Sequence, residues 1–270
     1  MQQLDENPTL PALIFYNHQT GDDPLIIAYI LLKYLFHRKN VIMPTSYDYW
    51  QLLGSQPHYA ITVRLAQKIL GWQMVPIIQS YRIRGAKDIK KQSQSEHLTK
   101  NFINLLNKKI PQGATIAIAP EGHRSRTGKL LPAEKGLGFI TRLMERINGL
   151  VLPIAFRYPK GINYGLNFNP RIPTGIMAIC GPLMEVGEVV GQASQLTKEH
   201  SLPTHSLSEK ITNFLMWQLA QNLPEQMQGV YHPSLFLRTL SGDFYLKTNE
   251  QTKKVGVWDN KLQSFLPDIY

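Results

Sequence analysis

The sequence predicts an α/β fold: a single mixed sheet flanked by helices, followed by a short C-terminal appendage. Short apolar runs typical of buried strands alternate with longer runs typical of helices. At 270 residues, with 43% hydrophobic and 18% charged residues, the chain can bury a large core. From Tyr231 on, the composition becomes mixed polar and aromatic. We therefore expect one domain over residues 1–233 and an extension over 234–270, where VWDNKLQSF is compatible with a small hairpin.

Five short apolar runs are expected to form strands: 11–16, 74–78, 114–119, 150–156 and 176–180. The first run shows no polar alternation, which is typical of a strand buried on both faces. The single cysteine, Cys180, lies in the last run and is expected to be a small buried side chain. One cysteine also excludes an intramolecular disulfide and indicates a reducing compartment.

Five segments are expected to form helices: 24–36, 58–70, 93–109, 135–147 and 206–219. Capping boxes at Ser93-x-x-Glu96 and Ser206-x-x-Glu209 are predicted to begin two of them. The segment 25–36 is the longest apolar run, and it is shorter than the roughly 20 residues that span a bilayer as a helix. Because a helix that is apolar all round is usually buried, packing against the sheet is favoured over insertion into a membrane interface. The N-terminal residues are polar and are not expected to form a signal peptide.

The net charge of +10 and the pI of about 9.6 predict a surface that attracts phosphate-bearing partners. Nucleic acid, anionic lipid headgroups and small phosphorylated substrates all satisfy this condition, so charge alone does not select among them.

The stretch YNHQTGDDP places His18 and Asp23 between the first strand and the first helix. Catalytic side chains of open α/β sheets project from such positions, and a carboxylate on one ring nitrogen would leave the other nitrogen as a base. The alternative is a turn in which Asn17 and Asp22 are turn and cap residues. Taken alone, the stretch favours the turn interpretation, because short motifs often match by chance.

Two further stretches carry clustered positive charge. APEGHRSRTGKLLPAEKG combines Arg124, Arg126, Lys129 and Lys135 with loop glycines, which suits phosphate or carboxylate binding. IIQSYRIRG places two arginines, Arg82 and Arg84, two residues apart, so that both could reach one anion. Solvated surface charge is the alternative for both stretches.

Taken in order, these stretches and VLPIAF resemble the glycerolipid acyltransferase family, which comprises 1-acylglycerol-3-phosphate and glycerol-3-phosphate acyltransferases. The family pattern is NH-x-x-x-x-D, a downstream arginine, (F)PEG(T)RS and a late apolar strand with a proline. The matching residues here are Asn17, His18, Asp23, Pro120, Glu121, Gly122, Arg124, Ser125 and Pro153. NLPEQMQGVYHP also resembles the C-terminal stretch of bacterial and plastid-like members. The resemblance covers about residues 11–233 and identifies 1–233 as a phospholipid/glycerol acyltransferase domain.

The chain departs from the family pattern at three points. His123 replaces the usual threonine and Ala119 the usual phenylalanine. The downstream arginine is either Arg82 or Arg84. The first motif also lies close to the N-terminus, where many members carry a membrane-embedded or helical segment.

The resemblance implies acyl transfer from acyl-CoA or acyl-carrier protein to a hydroxyl of 1-acylglycerol-3-phosphate, giving phosphatidic acid. His18 would be the general base and Asp23 would fix its tautomer. Arg124, with Arg82 or Arg84, would bind the acceptor phosphate. Other substrate-binding residues implied are Glu121, Gly122, Ser125 and Lys135. No metal or cofactor is expected beyond the acyl-thioester, and the enzyme is expected in the cytoplasm, peripherally bound to an anionic membrane on its cytoplasmic or stromal face.

Alternative functions remain at this stage. Glycerol-3-phosphate, another lysophospholipid or another alcohol could be the acceptor; RSRTGKLLPAEKG favours the first, whereas the NHQ form of the first motif favours lysophosphatidic acid. A hydrolase or a catalytically silent lipid-binding relative is also compatible with the pattern, although the intact His18 and Asp23 argue against the latter. A basic nucleic-acid-binding module is disfavoured, because no RNP-like, KH or helix-turn-helix pattern is present.

Overall fold

The computed structural model describes residues 4, 6–38, 40–47, 68, 71–79, 89–159, 162, 175–199, 206–241, 243–248 and 255–266. The predicted helix 58–70 lies outside these residues except for Lys68. Within the described part of the chain, seven strands form a main sheet with helices on both faces, and three more strands form a second, smaller sheet. The predicted α/β fold with a mixed sheet is confirmed.

The main sheet has the strand order β3-β2-β4-β1-β5-β6, with the short β7 also beside β5. The strands are β1 (Ala12–Tyr16), β2 (Val41–Ser46), β3 (Gln73–Ile77), β4 (Thr115–Ile118), β5 (Leu150–Arg157), β6 (Met177–Cys180) and β7 (Met184–Glu185). The first five are parallel to one another, whereas β6 and β7 run antiparallel to β5. The sheet is therefore mixed only at one side.

The central strand β1 is buried on both faces, as its continuous apolar run predicts. Successive side chains point to opposite faces, so Leu13 and Phe15 join one apolar cluster while Ile14 and Tyr16 join another. β1 pairs in parallel with β4 on one side and β5 on the other. The chain segment that follows β1 therefore leaves the sheet at its centre.

Helices cover both faces of this sheet. They are α1 (Asp23–Tyr34), α2 (Ile89–Lys109), α3 (Gly136–Met144), α4 (Val186–Glu199), α5 (Leu207–Ala220) and the short α6 (Phe236–Leu240). α1 packs on the face of Ile14 and Tyr16 through Ile27, Ile30 and Leu31. The opposite face is covered by side chains from α2 to α5.

One of the two predicted capping boxes is confirmed. Ser206 accepts from Glu209 N at 3.4 Å, and the Glu209 carboxylate accepts from Ser206 N at 3.2 Å. The box predicted at Ser93 is wrong, because α2 begins at Ile89 and places Ser93 and Glu96 inside the helix. Lys90, Lys91 and Gln92 are good helix formers, which explains how the helix extends before Ser93.

The prediction for Cys180 is also wrong: its side chain is exposed. Cys180 lies on β6, which is an edge strand within the described sheet and pairs only with β5. Exposed residues occur on both faces of β6, so the cover that buries the central strands does not extend over this edge strand, and an apolar run there does not imply burial. Met177 and Ala178 of the same strand are likewise exposed.

The predicted packing of segment 25–36 is correct for one side of α1 only. Ile27, Ile30 and Leu31 are buried against the sheet, whereas Leu25 and Tyr29 are exposed. Among the described helices, none combines the length and the hydropathy needed to cross a membrane.

The C-terminal segment contributes a three-stranded antiparallel sheet of β8 (Phe244–Thr248), β9 (Val255–Asp259) and β10 (Ser264–Phe265). The stretch VWDNKLQSF spans the hairpin between β9 and β10. Phe244, Leu246 and Val257 belong to the same apolar cluster as Leu13 and Phe15 of the main sheet. The division at residue 233 into a domain and an extension remains a prediction.

Candidate active site

The site lies at the carboxyl edge of the parallel strands. Because Phe15 of β1 pairs with Ile118 of β4 and with Pro153 of β5, the segments that follow all three strands leave the sheet at the same edge. These segments carry His18, Glu121 and Tyr158. Open α/β sheets place their ligand and catalytic sites at this edge.

His18 and Asp23 contact each other directly, as the first motif predicts. His18 Nδ1 lies 2.8 Å from Asp23 Oδ2. A carboxylate only accepts hydrogen bonds, so Nδ1 is the donor, and in the neutral imidazole Nε2 is the nitrogen with the free lone pair. The Asp23 side chain is fully buried, whereas the His18 side chain is 21% exposed. The buried carboxylate thus fixes the orientation of a partly exposed imidazole.

Asp23 is held by a set of hydrogen-bond donors. The backbone N–H groups of Gln19 and Thr20 donate to Oδ2 at 2.6 and 3.0 Å. Oδ1 accepts from the Thr20 hydroxyl at 3.3 Å and from the Tyr158 hydroxyl. As the first residue of α1, Asp23 also places its negative charge at the positive end of the helix dipole. The carboxylate is thus fixed in position before any substrate binds.

Tyr158 is a site residue that the sequence interpretation missed. It follows β5 directly, and its hydroxyl lies 3.0 Å from Thr20 Oγ1 in addition to the bond to Asp23. Burial, with the nearby Asp23 charge, raises the pKa of Tyr158, so the phenol stays protonated and donates. Its position after a strand of the carboxyl edge is the one feature of the sequence that could have indicated it.

Asn17 fixes the start of the motif segment to the sheet. Its side-chain amide donates to Phe156 O at 3.0 Å, and its Oδ1 accepts from Phe156 N at 2.7 Å. The amide therefore replaces a backbone pairing partner for β5, just beyond the end of β1. This explains why an asparagine precedes His18.

Glu121 lies next to the backbone of His18 and is almost fully buried. Its two carboxyl oxygens accept from His18 N and Leu131 N, each at 2.7 Å. Burial raises the pKa of Glu121 to about 8, although the two N–H donors act in the opposite direction. Glu121 therefore joins two segments of the site, and its predicted contact with the acceptor remains a prediction.

Two further bonds join the segment after β1 to the loop 119–135. Ser125 N donates to His18 O at 2.9 Å, and Gln19 Nε2 donates to Gly128 O at 2.8 Å. Together with Glu121, these bonds hold the His18 backbone through both its N–H and its carbonyl. The Ser125 hydroxyl is buried and has no hydrogen-bond partner in the described part of the chain.

Gly122 adopts a left-handed conformation with φ of 62°. A Cβ at this position would lie 3.2 Å from Gln79 Cγ, so the chain approaches the segment after β3 closely. Both features favour glycine in the PEG motif.

The predicted cationic residues are placed unevenly. Arg124 lies in the loop 119–135, directly before Ser125, with a partly exposed side chain. Lys135 is exposed immediately before α3, and no described hydrogen bond or ion pair joins it to His18 or Asp23. Arg82 and Arg84 lie outside the described residues. In the described segments, no group of three or more His, Cys, Asp or Glu side chains could hold a metal ion.

Hydrogen bonds join the loop 119–135 to the segment that contains NLPEQMQGVYHP. Leu130 N donates to Met227 O at 2.8 Å, and Ala133 N donates to the Tyr231 hydroxyl at 2.9 Å. A Cβ on Gly229 would lie only 2.0 Å from Leu130 O, so this contact requires glycine. The late stretch therefore holds the loop that carries Arg124 and Ser125.

The arrangement is an α/β sheet whose carboxyl edge holds a partly exposed histidine paired with a buried carboxylate. The sequence profile of the acyltransferase family matches residues 2–157, which is more than half of the chain. The protein therefore belongs to the acyltransferase family, and the resemblance to the glycerolipid acyltransferases is confirmed. Family membership supports acyl transfer as the activity. Comparison with curated protein sequences finds no significant match.

Proposed function

We propose that the protein transfers a fatty acyl group from an acyl-thioester, acyl-CoA or acyl-carrier protein, to a hydroxyl of 1-acylglycerol-3-phosphate, giving phosphatidic acid. The observation that carries this proposal is the His18–Asp23 pair, with Nδ1 bonded to a buried carboxylate at 2.8 Å. The imidazole is partly exposed, and no described residue forms a hydrogen bond with its Nε2. Nε2 is therefore the ring nitrogen that we propose meets the substrate hydroxyl.

In the proposed reaction, His18 Nε2 takes the proton of the acceptor hydroxyl as its oxygen bonds to the thioester carbonyl carbon. Asp23 stabilises the imidazolium that forms, as the acid does in hydrolase triads. The carbon–sulfur bond of the tetrahedral intermediate then breaks, and the imidazolium returns the proton to the leaving thiolate. The acceptor hydroxyl is itself the nucleophile, so no protein nucleophile is needed.

The acceptor phosphate is proposed to bind at the cationic loop residues. Arg124 directly precedes Ser125, whose N–H donates to His18 O at 2.9 Å, so the arginine lies on the segment that contacts the base. A guanidinium can bind phosphate through two parallel hydrogen bonds. Arg82 or Arg84 is proposed to supply a second cation, and the net charge of +10 would attract an anionic acceptor.

The experiment that tests this function is acyl-thioester consumption by the purified protein with lysophosphatidic acid, with glycerol-3-phosphate and with no acceptor. We expect consumption to require lysophosphatidic acid and to fall about a hundred- to ten-thousandfold in His18→Ala, because general-base catalysis contributes about 10²–10⁴-fold. The matched control is His232→Ala, since His232 also pairs with a carboxylate, Glu225, at 2.8 Å but on the exposed surface. This variant should keep its activity.

Each other outcome changes a different part of the proposal. Stimulation by glycerol-3-phosphate alone would reassign the acceptor. Consumption without any acceptor would indicate a hydrolase, in which water replaces the acceptor. Full activity in His18→Ala would reject the His18–Asp23 mechanism whatever the substrate.

A further inference from the structure

One side of α1 is apolar and exposed. Leu25, Tyr29 and Leu32 on the helix and Phe36 just beyond it are 53%, 60%, 38% and 64% exposed. The spacing of Leu25, Tyr29 and Leu32 places these three along one side of the helix, opposite the buried Ile27, Ile30 and Leu31; Phe36 lies two residues beyond the helix end at Tyr34. We call Leu25, Tyr29, Leu32 and Phe36 the α1 ridge.

A row of large apolar side chains is unusual on the outer side of a surface helix. Such helices normally present polar residues to solvent, and clustered exposed apolar side chains mark an interaction site. Core packing accounts for the other side of α1 but leaves the α1 ridge unexplained. The α1 ridge therefore indicates an interaction surface.

The α1 ridge begins next to the candidate active site. Asp23, which holds His18, is the first residue of α1, and Leu25 follows two residues later. At 1.5 Å of rise per residue, the helix is about 17 Å long from Asp23 to Tyr34. A surface that covers the ridge thus passes close to the His18–Asp23 pair.

The side chains around the ridge are those that favour a lipid interface. Lys33 Nζ lies 5.7 Å from the ring centre of Tyr29 and 5.1 Å from that of Tyr34. A hydrogen bond to Tyr34 is the main cause that raises the pKa of Lys33, so its positive charge is kept. Tyrosine prefers the level of lipid headgroups, and lysine can extend its charge towards them while its methylene groups stay apolar.

We propose that the α1 ridge docks on an anionic lipid bilayer and places the His18–Asp23 pair at the membrane surface. Apolar side chains would enter the interface, and Lys33 with the net charge of +10 would complement the anionic headgroups. The inference rests on the proposed function in one respect, that the acceptor is a lipid. A second copy of the chain is the competing occupant.

The test is co-sedimentation of the whole protein with vesicles of phosphatidylcholine alone and of phosphatidylcholine mixed with phosphatidylglycerol. We expect binding to the mixed vesicles, and a decrease of about tenfold or more when Tyr29, Leu32 and Phe36 are all changed to Ser, because membrane binding scales with buried apolar area. The matched control changes three exposed apolar residues elsewhere to Ser: Ile89, Leu237 and Leu262. It should bind like the wild type, and thermal unfolding shows whether each variant is folded.

The Lys33→Ala variant measures the electrostatic contribution of Lys33 to vesicle binding. It should weaken binding to the mixed vesicles several-fold, roughly the effect of one basic residue near an anionic surface, and should leave binding to pure phosphatidylcholine unchanged. Equal binding by the wild type and the folded ridge variant would overturn the inference. A wild-type dimer that ignores vesicles and becomes monomeric in the ridge variant would overturn it in favour of the second copy.

Vesicle binding is measured without an acyl donor, so it stands or falls independently of the proposed reaction. Where acyl transfer is observed, the ridge variant should keep its rate on a short-chain, water-soluble acceptor and lose it on vesicle-embedded acceptor. Loss of both rates with vesicle binding intact would contradict the ridge as the membrane surface.

Discussion

At the scale of single residues, the site depends on Asp23 more than on any other side chain. Its carboxylate accepts five hydrogen bonds, from the imidazole of His18, the backbone of Gln19, the backbone and hydroxyl of Thr20, and the hydroxyl of Tyr158. Only the first of these partners was predicted. A motif fixes residues that are close along the chain, whereas Tyr158 reaches Asp23 across a sequence separation of 135 residues through the fold.

The first prediction concerns Tyr158→Phe. Loss of the hydroxyl removes one donor from the carboxylate that orients His18, and a hydrogen bond to a charged group contributes about 1.5–3 kcal/mol. We expect kcat of acyl transfer to fall about ten- to a hundredfold, with little change in the KM for the acceptor. Steady-state kinetics measure both values.

Tyr16→Phe is the matched control for Tyr158→Phe. Tyr16 is buried in the same apolar cluster, and no hydrogen bond joins it to Asp23 in the described part of the chain. Its kcat should remain near that of the wild type. An unchanged kcat in Tyr158→Phe, or an equal loss in both variants, would show that the Tyr158 hydroxyl does not position the base.

The second prediction concerns Glu121 and pH. Its ordinary pKa of 4.5 is raised to about 8 in the folded protein. Between these values the unfolded chain releases the proton that the folded chain keeps, so the free energy of unfolding should decrease as the pH rises through about 8. Denaturant unfolding of the wild type at several pH values measures this slope.

Glu121→Gln provides the comparison, because it has the same shape and does not titrate. The variant should be less stable by about 1–3 kcal/mol near pH 5, since its amide N–H₂ replaces one acceptor of the His18 and Leu131 N–H groups. Its deficit should shrink towards pH 8. A constant deficit across this range would mean that Glu121 does not change protonation there.

At the scale of elements, the sequence predicted a strand or a helix correctly where a single feature, such as burial on both faces or a capping box, determined it. β1 is recognisable because both its faces are buried, and the start of α5 because a capping box is local. The sequence analysis missed β2 and α4. Pro44 interrupts the strand pattern of β2, and Gly187 and Gly191 interrupt the helix pattern of α4. Val186 and Val189 nevertheless bury one side of α4. Parallel pairing and packing overrode these local preferences.

The third prediction tests how closely α3 and α5 approach. A Cβ on Gly138 would lie 1.9 Å from Ser208 O, and Gly138 N also donates to Thr212 Oγ1 at 2.9 Å. Gly138→Ala should lower the free energy of unfolding by about 1–3 kcal/mol, since the helices must separate. Gly136→Ala, in the same helix with nothing within 4 Å of its Cβ, should change it by less than about 1 kcal/mol. Similar values in both variants would contradict this close contact.

At the scale of the whole molecule, the sheet separates two apolar clusters, which support different parts of the protein. One contains α1, so it supports both Asp23 and the α1 ridge. The other contains side chains of the four helices from α2 through α5. It also connects the segment after α5 to the loop 119–135. The sequence could predict the alternation of strands and helices and the carboxyl-edge position of His18. It could not predict which side of α1 is covered, because an apolar helix has the same composition whether one side or both sides are buried.

The last prediction concerns the C-terminal residues 234–270. Leu246 of β8 is buried in the cluster that also holds Leu13 of β1, and Asn213 of α5 donates to Thr239 O at 2.7 Å. If this shared core couples the extension to the rest, Leu246→Ala should lower the stability of the whole chain by about 2–5 kcal/mol, as expected for a buried leucine. Leu262→Ala, at a position 62% exposed, should have little effect. Urea unfolding followed by far-UV circular dichroism and by tryptophan fluorescence measures both. We expect one cooperative transition that shifts as a unit in Leu246→Ala; an early separate transition confined to the variant would instead show that residues 234–270 unfold independently.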